Sequence, residues 1–327
     1  MQNKVGLIFV VYFWILAAHA DSSNTEVIQA WLEKMSHAGH MQNFSGTFVY
    51  GKKSDLMVMK IFHRADEFGE VERLISMDGS GKEVIRNNNL VTCVLPEKKS
   101  VVVEKSKPVS KFPPSFPTKI NELNYYSFSL KQQDNIAGHI AQKIAVIPKD
   151  SYRFGYLLWI DVKTGLLLKS LLISEKNEMI EQFMFTNLKY HDKLDDNLFK
   201  PSVEGKKYSW FQAKDNSTAK VKAGSFKGWE FVNLPPGYKV NLKRDHTMPR
   251  AKSPLMHFVI TDGLATVSVY IENHRSENSD LIGGTSMGAV NAYGRHLNEF
   301  HVTAVGEAPM VAIKMICDAT RLKTNND

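Results

Sequence analysis

A chain of 327 residues, 43% hydrophobic and 23% charged, sits at globular averages and is long enough for about two domains, which excludes a disordered chain, a collagen and a multi-span membrane protein. Two cysteines exclude a disulfide framework and a four-thiolate zinc site. The formal charge of +7 is uneven: residues 201–260 hold 11 Lys+Arg against 4 Asp+Glu, a stretch suited to an acidic peptide or an anionic head group, or to plain solvation as a linker.

In chain order, residues 1–20 read as a secretory signal peptide. Lys4 supplies the positive start, Val5 to Ala17 is an apolar run of about 13 residues, short of the roughly 20 that span a bilayer, and Ala18 and Ala20 place cleavage before Asp21. Export, and the lack of any nucleic-acid motif, turn the reading away from nucleic acid. Ser23 and Glu26 are spaced as a capping box, and Val27, Ile28, Trp31, Leu32 and Met35 recur at helical spacing.

From Asn43 the period changes to two. Phe44, Gly46, Phe48 and Tyr50 alternate with other residues, and Leu56–Phe62, Val71–Met77, Glu83–Arg86, Leu90–Leu95 and Ser100–Glu104 continue an antiparallel meander. Lys107–Lys119, with four prolines, reads as a loop. Tyr156–Ile160 and Leu166–Ile173 form a hairpin turning at Gly165, and Met179–Leu188 returns after a second turn at Ser174–Asn177. Residues 21–200 are thus expected to form a large sheet domain, with a linker over 201–222.

The remainder, 223–320, reads as a small α+β domain. Its expected strands are Trp229–Val232, Leu234–Tyr238, His257–Thr261, Thr266–Glu272, Ala289–Tyr293 and Val302–Val305, and Pro309 opens a final helix. Cys93 falls in the first domain and Cys317 in the second, so two unpaired thiols are expected rather than a bridge across the interface.

Chemistry is scarce. Gly284-Thr-Ser286-Met-Gly288 fits the nucleophile-elbow spacing and is similar to the serine run of subtilisin-like proteases, but neither a following helix nor the other triad motifs are present, so it reads as a glycine-rich turn. His37 and His40 lack a nearby third ligand, and no phosphate loop occurs. The expectation is a non-enzymatic protein with no catalytic residue, metal or cofactor.

The runs Glu72–Gly79, Lys82–Arg86, Leu158–Asp161 and Thr164–Lys169, followed in order by Trp229, Leu234-Pro-Pro-Gly-Tyr238, Ser268–Glu272, Gly288–Tyr293 with Arg295, and Val302–Pro309, resemble the RseB/MucB family over essentially the whole exported chain. The resemblance implies an α+β protein: a LolA-like half-barrel, an antiparallel twisted sheet with few helices, plus a smaller α+β C-terminal domain. It further implies a periplasmic negative regulator of the sigma-E stress response, which binds the periplasmic domain of an RseA/MucA-type anti-sigma factor, protects it from regulated proteolysis, and is released by lipopolysaccharide or another lipid.

On that reading the apolar strand residues Phe48, Tyr50, Met57, Met59, Ile61, Leu74, Tyr156, Leu158, Ile160, Phe183 and Phe185 are candidates to line a lipid site, with ordinary core packing as the alternative for each. Lys239, Lys243, Arg244, Arg250, Tyr270, Asn291, Tyr293 and Arg295 are candidates to meet the partner, with solvated surface as the alternative. The rival function is a periplasmic lipid or lipoprotein carrier with no regulatory partner. Homo-oligomerisation is left open.

Overall fold

The structure, a computed structural model, describes residues 15–52, 55–105, 123–203, 207–212, 228–246, 255–273 and 281–323. Helix α1 (Ile15–Met41) is followed by β1 (Phe44–Lys52), β2 (Asp55–Asp66), β3 (Gly69–Ser76), β4 (Glu83–Asn87), β5 (Leu90–Leu95), β6 (Ser100–Lys105), β7 (Tyr126–Leu130), β8 (Asp134–Ile136), β9 (His139–Pro148), β10 (Gly155–Asp161), β11 (Leu167–Ile173), β12 (Met179–Tyr190) and β13 (Ser209–Gln212). These thirteen strands form one sheet in the order β13-β6-β5-β4-β3-β2-β1-β12-β11-β10-β9-β7, with β8 beside β9. Then come β14 (Trp229–Phe231), β15 (Lys239–His246), β16 (Leu255–Thr261), β17 (Thr266–Asn273), β18 (Gly283–Met287), β19 (Val290–Leu297), β20 (Phe300–Gly306), α2 (Met310–Asp318) and β21 (Thr320–Leu322). A six-stranded sheet, β15-β16-β17-β20-β19-β18, and the β14–β21 pair make up the small domain.

The large sheet is held in register by alternation. Phe44 and Phe48 on β1 and Phe185 on β12 share one buried face, and a bulge at Thr47/Phe48 keeps them together across the pair. Gly46 makes that packing fit: a Cβ there would stand 3.0 Å from the Phe185 ring and 2.5 Å from the Asn187 carbonyl oxygen. Ile28, Leu32, Met35 and Ala38 of α1 belong to the same contiguous core, so one helix seals the middle of a very wide sheet.

Five expectations need correction. Leu234–Tyr238 is a turn rather than a strand: Gly237 takes a positive φ of 81° and the Tyr238 N–H donates back to the Pro235 carbonyl at 3.1 Å. The helix begins before the capping box at Ser23, because the helix-favouring Leu and Ala of residues 16–20 continue it without a break. Within the expected linker, Ser209–Gln212 pairs parallel to β6 and extends the sheet. Residues 284–287 are strand rather than turn, since β18 pairs with β19 and the reversal is confined to Gly288 and Ala289. Strands β7, β8 and β9 have no counterpart in the sequence expectations; polar residues such as Gln132, Gln133 and Asp134 mask their alternation. The proline-rich loop lies outside the described residues.

The two thiols are unpaired. Cys317 is buried in α2, where burial pushes its thiol up to about 11; burial also raises that of Cys93, which is only half-covered. Alkylation by iodoacetamide at pH 8 should therefore modify Cys93 well before Cys317, a difference readable by peptide mass spectrometry. Leu32→Ala should lower stability by about 2–5 kcal/mol in urea titrations, whereas Met41→Ala, at an exposed position of the same helix, should stay within about 0.5 kcal/mol.

Candidate functional site

The eleven apolar candidates do share one face of the large sheet. Met57 lies opposite Tyr50 and Tyr50 opposite Phe183; Met59 lies opposite Phe48 and Phe48 opposite Phe185; Ile61 pairs with Leu74, while Tyr156, Leu158 and Ile160 alternate along β10. They divide by depth. Phe48, Ile61, Leu158, Ile160, Phe183 and Phe185 are buried in the core that includes α1, and Met59, Leu74 and Tyr156 pack partly buried against it. Phe48, Phe183 and Phe185 meet edge to face, with centroids 5.2–5.9 Å apart. Only Tyr50 and Met57 are exposed, at the rim.

That rim adjoins the small domain. Glu181 on β12 accepts hydrogen bonds from the Tyr50 hydroxyl (3.0 Å) and from the backbone N–H of Ala289 (2.9 Å), the residue that closes the β18–β19 turn. Ala289 is buried with Phe154 and Leu172, and Tyr156 and Ile180 pack against them. Partial burial, then the Glu181 carboxylate, push the Tyr50 hydroxyl up to about 12, so it remains a donor throughout the neutral range.

A second contact is more deeply sealed. Arg153, in the loop before β10, is 0% exposed. Its Nε donates to Asp150 Oδ1 at 2.9 Å, its Nη1 to Asp262 Oδ2 of the small domain at 2.9 Å, and its Nη2 to the Pro236 carbonyl oxygen. The rings of Tyr125, Tyr126 and Tyr238 stand 4.6, 5.6 and 5.2 Å from the guanidinium. Tyr126 also donates to Asp262 Oδ2 (3.0 Å), and Tyr238 to the Tyr152 carbonyl (2.9 Å). Burial and then the Asp262 carboxylate hold both phenols well above their usual range. Asp262 Oδ1 in turn accepts the N–H groups of Leu264 and Ala265. The Leu234-Pro-Pro-Gly-Tyr238 run supplies the carbonyl and one ring, and Gly237 (φ +81°) leaves room for Tyr125, whose ring would lie 2.3 Å from a Cβ there. Sequence reasoning missed Arg153 and Asp262, since an isolated charge in a polar loop looks solvated; the only signal was the LPPGY run.

The partner candidates do not form one surface. In register, Arg295 lies opposite Val302 and Tyr293 opposite Ala304, on the face that packs against α2, whereas Tyr270 lies opposite His257 and Thr303 on the other face. Arg295 donates to the carbonyls of Cys317 and Thr320 and so caps the end of α2. Asn291 is buried, donating to the Ala308 carbonyl at 2.8 Å and accepting from Ser286 Oγ. Tyr270 stacks on His257 with centroids 4.5 Å apart. Lys239 is exposed, Lys243 and Arg244 take register positions opposite Phe258 and His257, and Arg250 lies outside the described residues. Ser286 sits on a hairpin strand, not at a strand-to-helix elbow, and its hydroxyl is given to Asn291.

A wide sheet filled by one helix, joined by a sealed ionic contact to a small sheet-and-helix domain, defines a two-domain α+β protein. Its family is shown by comparison: the MucB/RseB N-terminal domain matches residues 27–203 and the MucB/RseB C-terminal domain residues 224–321, and the chain belongs to the MucB/RseB family. It is 31% identical over 244 residues to the sigma factor AlgU regulatory protein MucB of Pseudomonas aeruginosa, covering 74% of this chain and 73% of that one. Identity to the sigma-E factor regulatory protein RseB of Escherichia coli K12 is 23% over 313 residues, 91% and 92% of the two chains. The crystal structure of MucB in complex with MucA(peri) superposes with a TM-score of 0.66 at 25% identity, over 90% of this chain and 98% of that one.

Removing one member of the interdomain pair strands the other in a water-free site. Arg153→Met and Asp262→Asn should each cost about 3–5 kcal/mol, and the double variant should cost less than their sum. A double-mutant cycle in denaturant checks this; strictly additive losses would mean the contact is not sealed.

Proposed function

We propose that this chain is a periplasmic, non-enzymatic regulator of a sigma-E-type stress response. It binds the periplasmic domain of an RseA/MucA-type anti-sigma factor, shields that domain from regulated proteolysis, and lets go when lipopolysaccharide or a related lipid binds. The observation that carries this reading is the match of both family domains, in order, on a chain that superposes along nearly its whole length with a relative solved in complex with MucA(peri). Export through cleavage after Ala20 brings it to the compartment where such a partner is exposed. Cleavage there would also put Ser23 and Glu26 in the first turn of the mature helix, where a capping box acts.

For lipid to release the partner, lipid must prefer a domain arrangement that the partner does not. The two interdomain contacts differ in strength: the Arg153 contact is a fully buried ion pair, whereas the Ala289–Glu181 contact is one hydrogen bond and a small apolar cluster. Rearrangement would therefore open the Glu181 end and pivot about Arg153. The rim residues Tyr50 and Met57 lie at the end that opens, which suits them to sense a lipid; the other nine candidates, packed in or against the core that includes α1, would meet an acyl chain only if that packing opened. The carrier reading is disfavoured by that filled interior and by the second domain, which a carrier does not need.

Calorimetric titration of the purified full chain with the anti-sigma periplasmic domain from the same organism, with and without lipopolysaccharide, tests the proposal. Micromolar or tighter binding that lipid weakens is the expected outcome. Equal affinity in both conditions would end the coupling idea, and lipid uptake without partner binding would favour the carrier.

A further inference from the structure

Strand β18 is an edge of the small domain's sheet: β19 pairs with it on one side and, among the described residues, nothing pairs with it on the other. Edge strands present unpaired N–H and C=O groups, and proteins usually guard them with charges or prolines. The sequence of the opposite edge strand, β15, does carry charges, reading Lys239-Val-Asn-Leu-Lys-Arg-Asp-His246. β18 reads Gly-Gly-Thr-Ser-Met, with no charge and no proline, and Gly284 to Met287 are all exposed.

The surroundings add apolar surface. Ile282 is 59% exposed, Met287 76% and Val311, on α2, 48%. A Cβ at Gly284 would stand 3.0 Å from the Met310 side chain, so the first turn of α2 borders one face of the strand. At its far end the hairpin turns against the large domain, where a Cβ at Gly288 would meet Glu181 and Lys52, and β1 leads from there to the exposed Tyr50.

We propose that β18 accepts an extended, largely apolar segment of the anti-sigma factor's periplasmic domain as an added strand. An added strand pairs such an edge along its whole length, and alternate side chains of that strand would meet Met310 and Val311 on one face. A single peptide strand suits this edge better than a second folded copy, because the large domain already occupies the end of the hairpin. The inference rests on the regulator reading and adds to it the place and mode of partner binding.

The test uses the full chain and the anti-sigma periplasmic domain. Thr285→Lys combined with Met287→Lys places charges on exposed positions of the edge, so the fold should hold, as an unchanged far-ultraviolet circular dichroism spectrum would verify. The expected result is affinity at least about tenfold weaker, equivalent to losing one or two backbone hydrogen bonds. Peptides spanning the bound segment, N-methylated one residue at a time, should lose binding at every second position, a pattern that side-chain contacts alone do not produce. Unchanged affinity of the double variant, with the unaltered chain binding normally, overturns the strand-addition proposal and leaves the regulator reading intact. Failure of the unaltered chain to bind overturns both. Self-association that the two lysines abolish would assign the edge to a second copy instead, and so also overturns the proposal.

Discussion

A guanidinium sealed from water between two domains sets the relation of every other part of this protein. Arg153 leaves its own loop to donate to Asp262 and to the Pro236 carbonyl of the small domain, and three tyrosine rings keep water from the pair. A buried charge has no good alternative to its partner. Separation of the domains would expose both ions at once, so the small domain is held at this point. The contact at Ala289 and Glu181 is lighter, one hydrogen bond and a small apolar cluster.

The second constraint is the width of the large sheet. Thirteen strands present more apolar surface than one helix can cover. α1 fills the middle, where Phe48, Phe183 and Phe185 interlock, and leaves the rim at Tyr50 and Met57 open. One face is thereby divided by depth: the centre is packed as core, and the rim adjoins the lighter of the two contacts with the small domain. β18, whose outer edge is unpaired among the described residues, runs into the turn that meets Glu181, so a strand added to it would act on the contact that is easier to break.

Much of the fold was legible because alternation is a local property. The meander from Phe44 to Glu104, the hairpin at Gly165 and the helix after Pro309 stand close to where spacing puts them. Alternation also placed all eleven apolar candidates on one face. It could not rank them by depth, since Phe48 and Tyr50 differ only in whether α1 lies above them. The partner candidates fared differently: Tyr270 and Tyr293 are both plausible contact residues by type, yet register puts them on opposite faces, and Arg295 is spent on the end of α2.

What the sequence by itself determined was the antiparallel meander, the hairpin at Gly165, the final helix and the likeness to the MucB/RseB family, all of which rest on near neighbours in the chain or on the order of short runs. Only the tertiary structure decided which charges are buried, which apolar residues are core and which strands stand at the sheet edges among the described residues. Arg153 and Asp262 are 109 residues apart, and Ala289 reaches Glu181 across a similar gap. Pairings of that kind depend on how two sheets are brought together, which no local pattern encodes.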